Sequence, residues 1–332
     1  MGVTARLDGF QRRHTWLGFP LAVVYKFVDD QGGYLAVLIT YYGFVSLFPG
    51  LLLLVSVLGY TLQSHPAWQQ AVLGSALQQF PIVGPQLQQN VSSIHGSSLG
   101  VLLGILGAVY GGLGVSVAIQ TALNRVWAVP RFARPDPVVS RLRGLVLFVL
   151  IGAVVLITTA LAAVGPVAAS YGFGSGPGIR IAAIAVAMIV NVGAFLIGFR
   201  VLTARDIPLK DLMPGAVGAG VAVEVLQIVG ALFVSYQLNG ASQIYGVFGL
   251  VLGLLAWLYL QAIIVVFCAE INAVRARQLW PRNLLTPFIE DVALTRADRA
   301  SYRSYVESER FTPSQQVQTT FDHLPSANDK KA

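Results

Sequence analysis

Apolar residues run through this chain in blocks too long and too continuous for alternating strands or for the one-sided stripe of a helix on a soluble core. Six blocks stay apolar for the roughly 20 residues that a helix needs to cross about 30 Å of hydrocarbon. They fall at about 34–59, 99–122, 144–166, 181–202, 214–236 and 245–271, each bounded by polar, charged or Gly/Pro-rich residues. The blocks are too long for barrel strands, and a helix satisfies its own backbone hydrogen bonds in lipid. The pattern therefore predicts an all-α integral membrane protein with six transmembrane helices. Two further stretches have helical character without the length to cross. Residues 16–28, WLGFPLAVVYKFV, lie between Arg12, Arg13 and Asp29, Asp30 and predict an interfacial helix before the first span. In the first outer loop, Trp68, Val72, Leu73, Ala76, Leu77 and Phe80 recur at helical spacing and predict a second.

Composition excludes a water-soluble protein. Of 332 residues 55% are hydrophobic and 11% charged, where soluble chains carry about 25% charged. Residues 31–124 contain no Asp, Glu, Lys or Arg at all. The placement of the 22 Lys and Arg residues gives the orientation, because only Arg180 falls in the connections 60–98, 167–180 and 237–244. All others lie at the termini or in the alternate connections, which the positive-inside rule puts in the cytoplasm together with both ends of the chain. The expected organisation is a cytoplasmic N-terminus with its interfacial helix at 1–33, the transmembrane domain at 34–271 and a cytoplasmic tail at 272–332. That tail has a helix from about 287 to 310 and is disordered beyond Phe311. The net charge of +7 and the pI near 9.7 then describe contact with anionic headgroups. Membrane lipids are the expected partners, with a cytoplasmic partner of the tail as a further candidate. No basic cluster interleaved with aromatics points to nucleic acid. The N-terminus lacks the unbroken apolar core and small-residue cleavage site of a secretory signal.

Candidate chemistry is sparse. The one cysteine, Cys268, excludes an intramolecular disulfide and a Cys-based metal site. His14, His65, His95 and His323 are scattered without ligand spacing, and neither a phosphate-binding loop nor a nucleophile elbow is present. No catalytic residue, metal or cofactor is expected, and any transport is not driven by ATP hydrolysis in this chain. The exceptional residue is Glu224, in the middle of the fifth span. A carboxylate there costs several kcal/mol unless it is protonated, paired or facing water, so it marks a candidate intramembrane polar site. Candidate partners are Tyr41, Tyr42, Asn191, Arg180 and Gln227, with Ser46 nearby in the first span. Pro49 should kink that span and free the carbonyl of Val45, which Ser46 and Tyr42 are placed to answer. Glycines at 100, 104, 107, 111, 112 and 114 predict that the second span is the most tightly packed, with Gly249 and Gly253 of the sixth as its mate.

Four blocks together carry a resemblance. TYYGFVSLFPGLLLLVSVLGY in the first span, ALNRVWAVP at 122–130, IPLKDLMPGAVGAGVAVEVLQ entering the fifth span and IYGVFGLVLGLLAWLYLQAIIVVFCAEINAVR at 244–275 resemble the YihY/BrkB family over about 25–282. These are bacterial inner-membrane proteins, once labelled as ribonuclease BN, and the resemblance implies six helices in that membrane. It carries over Pro49, Asn124, Arg125, Trp127, Pro214, Gly215, Tyr245, Gly246, Trp257, Glu270 and Asn272 as motif positions. Where the family reads Gly-Ala-Glu this chain has Cys268-Ala269-Glu270, which puts a close-packing role for the first position in doubt. Members have been linked to serum resistance, and one has been proposed to move a lipid A precursor. The leading expectation is a protein that transports a lipid or amphiphile between leaflets. The alternatives are a membrane scaffold that recruits a partner through its tail and a proton-coupled solute transporter using Glu224.

Overall fold

The structure is a computed structural model that describes residues 8–11, 14–61, 98–170, 177–237, 242–283 and 294–321. Among them every regular element is helical: α1 (Thr15–Asp29), α2 (Gly32–Thr61), α3 (Ser98–Val126), α4 (Pro137–Ser170), α5 (Pro177–Leu202), α6 (Leu209–Gln237), α7 (Ser242–Arg277) and α8 (Arg296–Ser308), with one 3-10 turn at Arg131–Ala133. Each of the six apolar blocks coincides with one helix from α2 to α7. The stretch at 16–28 becomes α1, and the helix expected in the first outer loop lies outside the described residues. Among the described residues, four segments are long and apolar enough to cross a membrane: Pro137–Val154, Ala185–Leu202, Leu209–Gly230 and Val251–Arg277. Gly32–Leu47 is a shorter apolar stretch.

Helices α2 to α7 form a ring in chain order. Each packs on the next, and α7 returns to pack on α2, while α3 also reaches α5 and α7. The α2–α3 pairing is the most extensive, so the glycine-rich helix finds its main mate in α2, not in the Gly249/Gly253 face of α7. The cause is visible at two positions. A methyl group on Gly111 would lie 2.6 Å from the Cα of Ser46, and one on Gly114 would lie 2.2 Å from the ring of Tyr42. Both glycines let α2 approach closer than any side chain permits. Between α5 and α6, Gly220 faces Val192 in the same way, at 2.7 Å.

At one end of the bundle the backbone turns sharply. Ala128 and Gln278 follow α3 and α7 in left-handed conformation, with φ of 49° and 53°. Each helix then closes with paired bonds, Val129 N–H to Asn124 C=O (2.8 Å) with Ala128 N–H to Arg125 C=O, and Leu279 N–H to Val274 C=O (3.1 Å) with Gln278 N–H to Arg275 C=O. These are Schellman closures made without glycine, and the apolar contact that accompanies them is present as the buried pair Val274 and Leu279. Between α1 and α2, Gln31 takes the same left-handed form, with φ of 58°.

Gly111→Ala should lower the thermal unfolding midpoint of the detergent-solubilised protein by the equivalent of about 1–3 kcal/mol, because the new methyl meets backbone atoms of α2. Gly193→Ala on α5, with nothing within 4 Å, should leave the midpoint unchanged or raise it.

Candidate functional site

The end of the bundle that carries these closures also holds a buried charge cluster. α1 buries Ala22, Val23 and Lys26 against α7, and Asp30 follows one turn after Lys26. The Lys26 ammonium donates to Asp30 Oδ2 and, at 2.9 Å, to the carbonyl of Val126 at the end of α3. It also lies 3.0 Å from Glu270 Oε2 on α7, an ion-pair contact whose alignment falls short of a hydrogen bond. All three side chains are sealed from solvent. Burial opposes the charge on Lys26, yet the carboxylates of Glu270 and Asp30 outweigh it and hold its pKa above the ordinary lysine value. Three chain segments remote in sequence, α1, α3 and α7, thus converge on one ammonium.

The tail helix covers this cluster. The Tyr305 ring sits over Lys26 Nζ at 5.9 Å, and its hydroxyl donates to Asp29 Oδ2 at 3.2 Å. Burial, with Asp30 and Asp29 beside it, pushes that hydroxyl's pKa up. Arg282 bridges the two layers, donating to Asp29 on α1 (2.6 Å) and to Asp298 on α8 (2.9 Å). Burial works against its charge, and the Asp29 carboxylate and the Asp298 hydrogen bond more than compensate. Asp298 also closes a capping box with Thr295, which starts α8. The tail helix is therefore a lid on the bundle, with Ala297, Ser301, Ser304 and Ser308 buried beneath it. Arg131 and Glu309 add a surface pair at 2.6 Å that contributes little by itself.

Most of the family motif positions serve this end. Asn124 Oδ1 accepts from Ala204 N–H at 2.8 Å, tying α3 to the α5–α6 turn. Asn272 Oδ1 accepts from Gly215 N–H at 2.6 Å, tying α7 to α6. A side chain at Gly215 would collide with the Cys268 carbonyl oxygen at 2.1 Å. The close approach at Cys268 is thus made by its backbone, with the small residue supplied by α6, so the cysteine side chain does not limit the packing. Trp127 and Trp257 are buried, Arg125 pairs loosely with Glu309 at 3.6 Å, and Pro214 lies in the first turns of α6. Tyr245 and Gly246 fall in the first turn of α7.

The intramembrane candidates are not gathered into one site. Tyr41 is exposed and meets Tyr42 edge-on at 5.4 Å. Ser46 donates to Gly43 C=O at 2.9 Å, so it does not answer the Val45 carbonyl freed by Pro49, and α2 remains helical through that proline. Asn191 and Glu224 are half-buried, and among the described residues neither has a hydrogen-bond or ion-pair partner. Gln227, one turn beyond Glu224, is half-buried and has a partner of its own. No group of three or more potential metal ligands occurs among the described residues.

Lys26 and Asp30 are absent from the sequence-based candidates. Their signal is a basic and an acidic residue four apart at the end of an apolar stretch, on the same face as Ala22. Replacing Lys26 with Met should cost about 3–5 kcal/mol, since it strands two buried carboxylates. Adding Asp30→Asn and Glu270→Gln to that variant should restore most of the loss, measured as the unfolding midpoint in detergent.

The sequence model of the family described as Virulence factor BrkB matches residues 23–286. The "Inner membrane protein YhjD" of Escherichia coli (strain K12) is 25% identical over 260 residues, covering 74% of this chain and 77% of that protein. The "UPF0761 membrane protein PsycPRwf_0630" of Psychrobacter sp. (strain PRwf-1) is 23% identical over 299 residues, 83% of this chain and 52% of that one. No solved structure matches. A match over most of the chain, a helical ring of apolar segments and relatives named as membrane proteins lead to one conclusion: this chain belongs to the Virulence factor BrkB family and is a multi-pass protein of the bacterial inner membrane.

Proposed function

We propose that this protein moves a lipid or amphiphile between the leaflets of the inner membrane without hydrolysing ATP. The supporting observation is the position of Glu224 on the surface of the ring. Met213, Val217, Val221 and Ile228 are exposed along one stripe of α6, and Glu224 falls within that stripe by its helical spacing. The opposite face, with Leu212, Ala216 and Ala219, is buried in the core. A carboxyl group on such an exposed stripe, without a protein partner among the described residues, costs a few kcal/mol in hydrocarbon. A polar headgroup travelling along the α6 surface would relieve that cost, whereas acyl chains would remain in lipid throughout. This outward placement favours an amphiphile over a small solute, which needs an enclosed route. The tail-mediated scaffold has less support, because the small-residue face of α8 is occupied by the protein's own bundle.

The proposal includes the topology: six spans, with both termini and the Lys26 cluster in the cytoplasm. Its support is the distribution of basic residues, of which only Arg180 lies on the other side. In a Cys268→Ser background, a cysteine at Ser93 should react with a membrane-impermeant maleimide in intact spheroplasts, and one at Ser314 only after lysis. Labelling of Ser314→Cys in intact spheroplasts rejects this orientation.

For transport itself, proteoliposomes containing the protein should accelerate the transbilayer movement of fluorescent phospholipids above empty vesicles. Glu224→Leu should slow that movement about tenfold, equivalent to about 1.4 kcal/mol in the barrier. Wild-type vesicles indistinguishable from empty ones, across anionic and glycolipid probes, reject the function. Unchanged movement in the Leu variant removes Glu224 from it.

A further inference from the structure

The outer face of α8 plays no part in the charge cluster or the proposed transport path, and its chemistry is distinct. Arg296, Arg299 and Arg303 follow one another at helical spacing and, with Leu294 and Ala300, line a half-open cavity of about 390 Å³. They lie on the side of the helix away from the buried Ala297, Ser301, Ser304 and Ser308, so docking of α8 fixes them outward. On and beside α8, Arg282 pairs with Asp29 and Asp298, Arg131 with Glu309, and Arg310 with Glu307. Among the described residues, Arg296, Arg299 and Arg303 have no such carboxylate. Arg299 Nε is buried without a hydrogen-bond partner. Arg303 is steadied by the Phe321 ring, 5.6 Å from its guanidinium carbon. The α8 dipole is not the attraction here, because Asp298 already occupies the capping position.

We infer that this cavity is a binding site for a phosphate-bearing anion. Three guanidinium groups that meet no carboxylate among the described residues match the oxygens of a phosphomonoester or phosphodiester, which arginine holds bidentately. The volume lies at the lower end of the range for small-molecule sites, about 300–1,000 Å³, and suits a headgroup-sized ligand. The cavity lies on the tail helix docked at the basic end of the bundle, and an anionic lipid headgroup and a free phosphate compound share the chemistry it would recognise.

The test uses the full-length protein in detergent micelles and the triple variant Arg296→Gln, Arg299→Gln, Arg303→Gln. Native mass spectrometry with added phosphatidylglycerol, phosphatidylcholine or inorganic phosphate reads the occupancy. The wild type should hold one anion at least about tenfold more tightly than the variant, as loss of charge-assisted bonds worth about 1.5–3 kcal/mol requires. Preference for phosphatidylglycerol over phosphatidylcholine, displaced by inorganic phosphate, assigns a lipid headgroup. Phosphate retention with equal affinity for the two lipids assigns a free phosphate compound. Equal occupancy of wild type and variant by both probes overturns the site. An unchanged unfolding midpoint confirms that the variant is folded. If it is not, Arg303→Ala alone replaces it and should still weaken binding severalfold, with no weakening counting against the site.

Discussion

An ammonium group removed from water is tolerated only when its protons meet acceptors and its charge meets opposite charge. Lys26 is such a group, and the acceptors that answer it come from elsewhere in the chain. The Val126 carbonyl is available because α3 stops there, turned out by Ala128. Glu270 is in place because α7 runs past the end of α1. Asp30 is near because α1 also ends there. If the ends of these helices shifted by one turn, the ammonium would be stranded. The cluster therefore fixes the relative height of α1, α3 and α7 more strictly than apolar packing does, since greasy surfaces slide on one another at small cost.

Height and lateral approach are set by different means. Around the ring, close approach is made by missing side chains, at Gly111 against α2, Gly215 against α7 and Gly220 against α5. At the basic end, each close contact is pinned by a polar atom: Asn124 holds the α5–α6 turn and Asn272 holds Gly215. The pairing of Gly215 with Asn272 combines both devices, because the absent methyl is what allows the amide oxygen to reach the backbone N–H. Without water in the surrounding hydrocarbon, such bonds and shape complementarity replace the hydrophobic drive that orders soluble helices.

The helices were legible in the sequence because membrane spans advertise themselves through length and continuous apolarity. Even the short α1 was visible through its flanking charges. What escaped was the role of Lys26, since a lysine in an apolar stretch near a membrane surface looks like one reaching for water. Its burial depends on Glu270 and Tyr305, far along the chain, and no local pattern encodes that meeting. Glycine spacing announced a tightly packed α3 but not its mate, because several helices offer small residues and only the three-dimensional ring selects α2. The intramembrane candidates had the reverse fate. Glu224 stood out by chemistry, but the exposed stripe it falls in emerged only once the neighbouring exposures on α6 were known, and Ser46 found a nearer acceptor than the one proline released.

The convergence on Lys26 also orders events during synthesis. Its own helix emerges first and supplies Asp30 at once, and the Val126 carbonyl arrives with the second hairpin arm. Glu270 enters only with the last helix of the ring, and Tyr305 only when the tail has left the ribosome. Until then the ammonium has only part of its final set of partners, Asp30 and the Val126 carbonyl. The full set of contacts around Lys26 therefore requires both the last helix of the ring and the tail helix to be in place.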